Sequence, residues 1–172
     1  QDDIERRREE ASEEIASLRT KIERIERDAV EEFNERMDDV LDLLDYGNLD
    51  RIWIEQVQRE VREGRRKVTK SAFELHVVRT SESGAAYEDT VDHLSESERE
   101  VTGLVFALAG YLAHDVYEAV PFVLLDSLEA IDSERIAKLV AYLDDYASYL
   151  LVALLPEDAA ALPDEYERIT EI

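Results

Sequence analysis

Apolar or small residues at Ile4, Ala11, Ile15, Leu18, Ile22, Ile25 and Ala29, with Arg8 taking one further position, recur at alternating steps of four and three. That spacing is the a/d seam of a heptad repeat on an α-helix. The residues between are mostly Glu, Arg, Lys, Asp and Ser. A stripe this narrow suits a helix that pairs with one partner helix, not one lying on a globular core. The seam loses phase after Ala29. Phe33, Met37, Val40, Leu41 and Leu44 then form a wider apolar face, which predicts entry into a globular body. No Gly or Pro precedes Gly47, so one helix is expected over residues 1–45. The chain divides into a coiled-coil arm segment, 1–32, and a globular part, 33–172. A solvated single helix or a bundle element is the other reading of the first thirty residues. No second heptad run within the chain could pair with them.

Asp45-Tyr46-Gly47-Asn48 breaks the helix. Arg51–Glu55 is a short β-branched and aromatic run, and residues 56–70 are polar and basic. Phe73–Arg79 alternates at period two and predicts a strand. Residues 81–86, with Gly84, read as a hairpin turn before a short strand near Tyr87. A helix follows over about 95–116. Val120–Leu125 is a continuous apolar run of the kind found in buried parallel strands. Asp132 or Ser133 caps another helix reaching about Asp145, and Tyr149–Leu155 is a second buried strand ended by Pro156. The last 80 residues thus alternate helix and strand, the order of a mostly parallel sheet with flanking helices, hence an α/β fold.

Charge narrows the setting. Acids outnumber bases 43 to 20, for a net charge of −23. Such a surface repels itself and nucleic acid at low salt and is tolerable where salt screens it. A salt-adapted cytoplasm is the expected environment; an ordinary acidic protein with solvated helix faces is the alternative. There is no cysteine, which excludes disulfides and thiolate metal sites. No apolar run is long enough to span a membrane, and no signal-peptide pattern is present. The first residue is Gln1, already inside the periodic pattern, which reads as part of a longer chain.

Three places could carry chemistry. Ser95 and Glu98 fit the capping box S-x-x-E. Taken alone, that marks a helix start, though helix starts also attract anions. Asp126 ends an apolar strand on the side where open α/β sheets hold ligands. A carboxylate there can hold Mg²⁺, or simply end the strand. Arg62, Arg65, Arg66, Lys67 and Lys70 put five cations within nine residues, a candidate phosphate-contacting group or a solvated loop.

In their order along the chain these segments resemble the C-terminal lobe of a P-loop NTPase head of the ABC/SMC type, closest to the archaea-specific SMC-related proteins. LSESER at 94–99 resembles the signature that SMC proteins usually write LSGGEK, with Ser95, Glu98 and Arg99 keeping its serine, acid and base. VPFVLLD at 120–126 resembles a Walker B strand, and Asp132 falls where a D-loop would. The resemblance implies an ATP site with Asp126 linked to Mg²⁺. It places Ser95, Ser97, Glu98 and Arg99 against nucleotide held by a second head, with Asp132 at the dimer interface. The implied partners are an N-terminal P-loop lobe of the same full-length protein, a second head in a homodimer, and DNA, with no membrane. The implied setting is cytoplasmic and nucleoid-associated, in chromosome organisation or repair.

The chain departs from the family pattern at several points. Glu96 and Ser97 replace the signature glycines, which normally let backbone approach phosphate. Ser127 stands where the catalytic glutamate follows the Walker B aspartate, and serine is no general base at neutral pH. Glu129 is the nearest replacement. The switch histidine is absent after the last strand. None of the five glycines forms G-x-x-x-x-G-K-[ST], so ATP hydrolysis is expected only with the P-loop lobe. A hydrolysis-poor ATP-gated clamp or scaffold, and a nucleotide-free coiled-coil interaction protein, remain as other readings.

Overall fold

The computed structural model describes residues 2–64, 66–81 and 83–170. Helix α1 runs unbroken over Asp2–Leu44. Strands β1 (Leu49–Glu63) and β2 (Arg66–Thr80) form an antiparallel hairpin, and β3 (Ala86–Asp89) pairs with the end of β2. Then come α2 (Glu96–Ala113), the one-turn α3 (Val116–Ala119), β4 (Phe122–Leu125), α4 (Ser133–Asp144), β5 (Tyr149–Val152) and the one-turn α5 (Pro156–Ala159). Strands β4 and β5 pair in parallel with α4 as their crossover. The larger sheet is therefore antiparallel, and the parallel one has two strands among the described residues.

The two halves of α1 differ as the change of phase predicts. The seam residues Ile4, Ile15, Leu18, Ile22 and Ile25 each stand more than half exposed, whereas Phe33, Met37, Val40, Leu41 and Leu44 are buried. The buried half packs on α2 through Val101, Val105, Leu108, Ala109 and Leu112 and on α4 through Ile136, Leu139, Val140 and Leu143. At Gly110 an added Cβ would lie 3.2 Å from the Phe33 ring, so the absence of a side chain sets the α1–α2 approach. Asp45 ends α1 in the left-handed conformation, φ 46°. No basic residue sits in the last turn of α1. Arg135 of α4 supplies that charge from outside, donating from Nε to the Leu44 carbonyl at 2.5 Å and from Nη2 to that of Asp45 at 2.7 Å.

Two expectations about strands change. The basic stretch 56–70, for which the sequence predicts no strand and a solvated loop is one reading of 62–70, is the far half of a hairpin whose strands are fifteen residues each. Only its base is covered, by Ile52 and Val77 in the core. Beyond Val57 the side chains face solvent, with Val68 and Ala72 half-buried. The last two strands, expected to be buried on both faces, are covered on one. Leu125 is buried and Val123, Leu150 and Val152 are half-buried, but Phe122, Leu124, Tyr149 and Leu151 face solvent. The expected helix over 95–116 is interrupted after Ala113 by Asp115, φ 48°.

Candidate functional site

The start of α2 is built from both partners of a capping box. Glu98 N–H donates to Ser95 Oγ at 3.3 Å, and Ser95 N–H returns a bond to Glu98 Oε2 at 2.8 Å. Ser95 Oγ also donates to Glu98 Oε2 at 2.7 Å. Glu98 is only 2% exposed. Its other oxygen accepts from Arg79 Nη2 at 2.8 Å, and Arg79 Nη1 reaches Asp89 Oδ2 at 3.0 Å. His93 Nδ1 lies 2.8 Å from Asp89 Oδ1, so five side chains form one chain of contacts from Ser95 to His93. Burial alone would raise the Glu98 carboxyl, but the Ser95 hydroxyl and N–H and the Arg79 guanidinium outweigh it and hold it below the usual range. The His93 contact, with the Thr90 N–H and Arg79, brings Asp89 down to about 2.

Arg79 and Asp89 were not among the residues singled out from the sequence, yet a signal existed. Arg79 shares the strand parity of Leu75 and Val77, which face the body. Glu98 precedes Val101, Thr102 and Val105 by three, four and seven, the buried face of α2. Opposite charges on two inward phases call for each other.

Of the other residues expected in the signature, Ser97 is half-buried and Arg99 is exposed. Arg99, Thr102, Gly103 and Phe106 line one wall of an apolar groove of 700 Å³, with Ile25 and Phe33 of α1 on the other side. The exposed seam of α1 therefore runs into this groove. His114 lies at the end of α2 near Phe33, and His76 stacks on Trp53 at 4.8 Å between Glu55 and Glu88.

At the end of β4, Asp126, Ser127 and Glu129 are exposed. Ser127 adopts φ 60°, the left-handed region, and its N–H donates to Asp126 Oδ1 at 2.9 Å. Leu128 and Ile131 are buried and anchor the turn. Asp126, Ser127, Leu128 and Ile131 share a cleft of 230 Å³ with Glu100, Val101 and Leu104 of α2, so the strand end meets α2 just past its first turn, and Ser95, Ser97, Glu98 and Arg99 do not line this cleft. Asp132 caps α4, accepting from Arg135 N–H at 3.0 Å; that bond, with the Arg135 charge, keeps its carboxyl low against its partial desolvation.

Among the described residues, no group of three or more His, Asp or Glu side chains is placed to hold a metal ion. Asp126 fits a sparser role. Its Oδ2 has no hydrogen-bond partner among the described residues. One carboxylate oxygen suits Mg²⁺, which is commonly held by one or two carboxylates plus water and phosphate.

The basic residues divide into paired and unpaired. Lys67 meets Glu60 at 2.7 Å, and Lys70 pairs with Glu63. Arg62 and Arg66 sit at the end of the hairpin without an ion pair among the described residues, and Arg65 lies outside the described residues. No helix among the described residues is long and apolar enough to cross a membrane.

No protein-family model matches the chain. The Smc-like protein Sph3 of Haloferax volcanii is 64% identical over 154 residues, covering 90% of this chain. Smc-like protein Sph2 of Halobacterium salinarum is 57% identical over 87% of it. The chain spans about a quarter of the length of these curated relatives, 24% and 23%. An SMC head solved with the C-terminal winged-helix domain of ScpA superposes with TM-score 0.52 at 15% identity, over 77% of this chain and 37% of that one. A structure described under ATP-driven dimerization and DNA-stimulated activation of SMC ATPases gives TM-score 0.51 at 16% identity, over 82% and 78%. These likenesses place the fold with SMC heads, and the chain belongs to the archaeal SMC-like proteins.

Proposed function

We propose that this chain is the C-terminal lobe of an SMC-like ATPase head, acting in ATP-driven head dimerisation. The observation that carries the reading is the cleft where the Asp126–Ser127 turn meets Glu100, Val101 and Leu104 of α2. Asp126 would hold Mg²⁺, directly or through water, and a metal bound there would supply charge to offset that of phosphate. Ser95 turns its hydroxyl from Glu98 to a phosphate oxygen presented by a second head, with Ser97 and the helix start beside it. Glu98 keeps its internal role, fixing Ser95. Asp132 shapes the contact between heads. The N-terminal P-loop lobe covers the open apolar face of β4 and β5, and the arm over 1–32 pairs with a helix of the same full-length protein. In the cell, the assembled protein acts on chromosomal DNA in organisation or repair, in a salt-adapted cytoplasm.

Ser127 favours a second reading on one point. At the position of the catalytic glutamate it offers no base, and Glu129 is two residues further along an exposed turn. The head then binds ATP, hydrolyses it slowly, and serves as a ligand-gated clamp. ATP turnover and ATP-dependent dimerisation of the full-length protein test both readings. Asp126→Ala is expected to abolish both activities. Ser95→Arg is expected to leave ATP binding intact and block dimerisation. Assembly that ignores nucleotide and survives Ser95→Arg would sink the head-engagement reading. Turnover that rises at least tenfold in Ser127→Glu supports the clamp; ordinary turnover that is lost in Glu129→Ala overturns it.

A further inference from the structure

The β1–β2 hairpin carries a charge pattern that its own stability does not explain. Residues 56–73 hold six cations and two acids, a net +4 in a chain of −23. Moreover, cations stand directly opposite cations. Arg59 faces Lys70 and Arg62 faces Lys67 across the two strands. Like charges at cross-strand positions destabilise a ribbon. Three acids offset part of this: Glu60 on Lys67, Glu63 on Lys70 and Glu74 on Arg59. Arg62 and Arg66 stand next to the turn without an ion pair among the described residues; Arg66 faces Glu63 across the strands, but the Glu63 carboxylate is drawn to Lys70. A local rule broken at an exposed tip, against the chain's overall composition, points to a ligand outside the chain.

Shape says which ligand. From Gln56 to Glu63 the strands extend about 24 Å, at about 3.4 Å per residue. A two-stranded ribbon fits the major groove of B-form DNA, whereas the major groove of A-form RNA is too deep and narrow for side chains to read. We infer that the outer half of the β1–β2 hairpin is a DNA-contacting arm that enters the major groove and places Arg62 and Arg66 against backbone phosphates. The inference rests on the proposed function for DNA as the ligand and adds the element that meets it. It supplies position and charge, not base reading: Arg62, Arg66 and Lys67 are near the turn, where the phosphates flanking the groove lie within reach of long side chains.

Fluorescence anisotropy of the full-length protein, without nucleotide, with a 30-base-pair DNA duplex as probe and a duplex RNA of the same sequence as comparison, tests this across a salt series. Arg62→Gln/Arg66→Gln is expected to weaken DNA binding about tenfold at low salt and to lower the slope of log affinity against log salt by about 2. Arg19→Gln/Lys21→Gln, at exposed cations on α1, serves as the control and should leave both values unchanged. Unaltered DNA affinity in the hairpin variant overturns the inference, as does wild-type protein that binds no duplex. Equal binding of duplex RNA with equal loss in the variant also overturns it, because attraction without groove fit would then suffice. ATP-dependent dimerisation of the same variant separates the two proposals. Loss of DNA binding with dimerisation intact supports both, and loss of DNA binding in a protein that never dimerises with ATP supports the arm alone.

Discussion

Both sheets expose strand to solvent, and they do so with opposite chemistry. In the hairpin, the uncovered half carries Gln58, Arg59, Glu60, Arg62, Lys67 and Lys70 around one small apolar pair, Val61 opposite Val68. Each strand satisfies the other's backbone groups on the inner edge, and water satisfies the rest, so no cover is required. In the parallel pair, strands of only four residues turn Phe122, Leu124, Tyr149 and Leu151 outward. Such a contiguous apolar face belongs against another protein surface. The sheets also differ in their attachment. The hairpin's base is tied to the body by Ile52 and Val77 in the core and also by charge, through Arg79 and Glu98, whereas β4 and β5 are tied by apolar packing. Exposure alone thus does not identify a binding surface; what the exposed side chains would gain from a partner does.

Breaking the packed attachment should have the largest effect. Leu125 is 6% exposed, and Leu125→Ala removes its contacts and leaves a cavity, at a cost of about 3 kcal/mol. Hydrogen exchange of the full-length protein should accelerate over residues 120–128 and 149–153 while residues 58–71 stay as they were. Acceleration of the hairpin to the same extent would show that the two sheets unfold together and that the contrast between them is only one of surface.

Breaking the charged attachment comes next. Arg79→Ala leaves the Glu98 carboxylate buried without its cation. The expected cost is about 2 kcal/mol, below that of a fully buried pair because the Arg79 side chain is 23% exposed. Acid should loosen the same region reversibly. Asp89 titrates at about 2 in the folded chain against 3.8 as its ordinary value, so its folded-state carboxyl is depressed. Its stabilising contribution is complete above the unfolded value and is lost as pH falls through the folded one. Glu98 is depressed in the same sense. Exchange over 77–80 and 86–93 should therefore rise below about pH 4 in the wild type, and more gradually in Asp89→Asn. A wild-type profile that is flat between about pH 4 and pH 2 would contradict the network.

How much of this was legible before any coordinates is best seen residue by residue. The change of phase at Ala29 marks where α1 becomes buried, because a heptad stripe and a broad apolar face need different partners. The capping box at Ser95 and the cap at Asp132 form as spaced, since both depend on residues three apart in the chain. The hairpin arm was not legible: Gln56–Lys70 lacks apolar alternation because neither face is covered, and period-two patterning appears only where one face is buried. Strand β4 misled in the opposite sense. An unbroken apolar run implies cover on both faces, but within this chain only one is covered. The Arg79–Glu98 pair escaped because each charge looks solvated until strand parity and helix phase are compared. At the site, Asp126 and Ser127 were placed by the end of the apolar run, while the left-handed φ of Ser127 has no local sequence signal such as Gly or Asn.

The smallest effects sharpen the comparison most. Leu124 on the open face of β4 is 58% exposed within this chain, and Val61 on the hairpin is 41% exposed. Judged by this chain alone, Leu124 should be the more tolerant position. If the P-loop lobe covers β4 and β5, the order reverses in the full-length protein. Leu124→Thr then loses burial worth about 1–2 kcal/mol, since more than half of a leucine side chain leaves an apolar surface for a poorer one. Val61→Thr keeps its β-branched shape in water and should change stability by less than about 0.5 kcal/mol. Denaturant midpoints for the two variants, compared with wild type in the same full-length protein, give the answer directly. A larger loss at Val61 would mean that the hairpin, not the parallel pair, is the face another domain covers, and the assignments of DNA arm and lobe interface would both have to be exchanged.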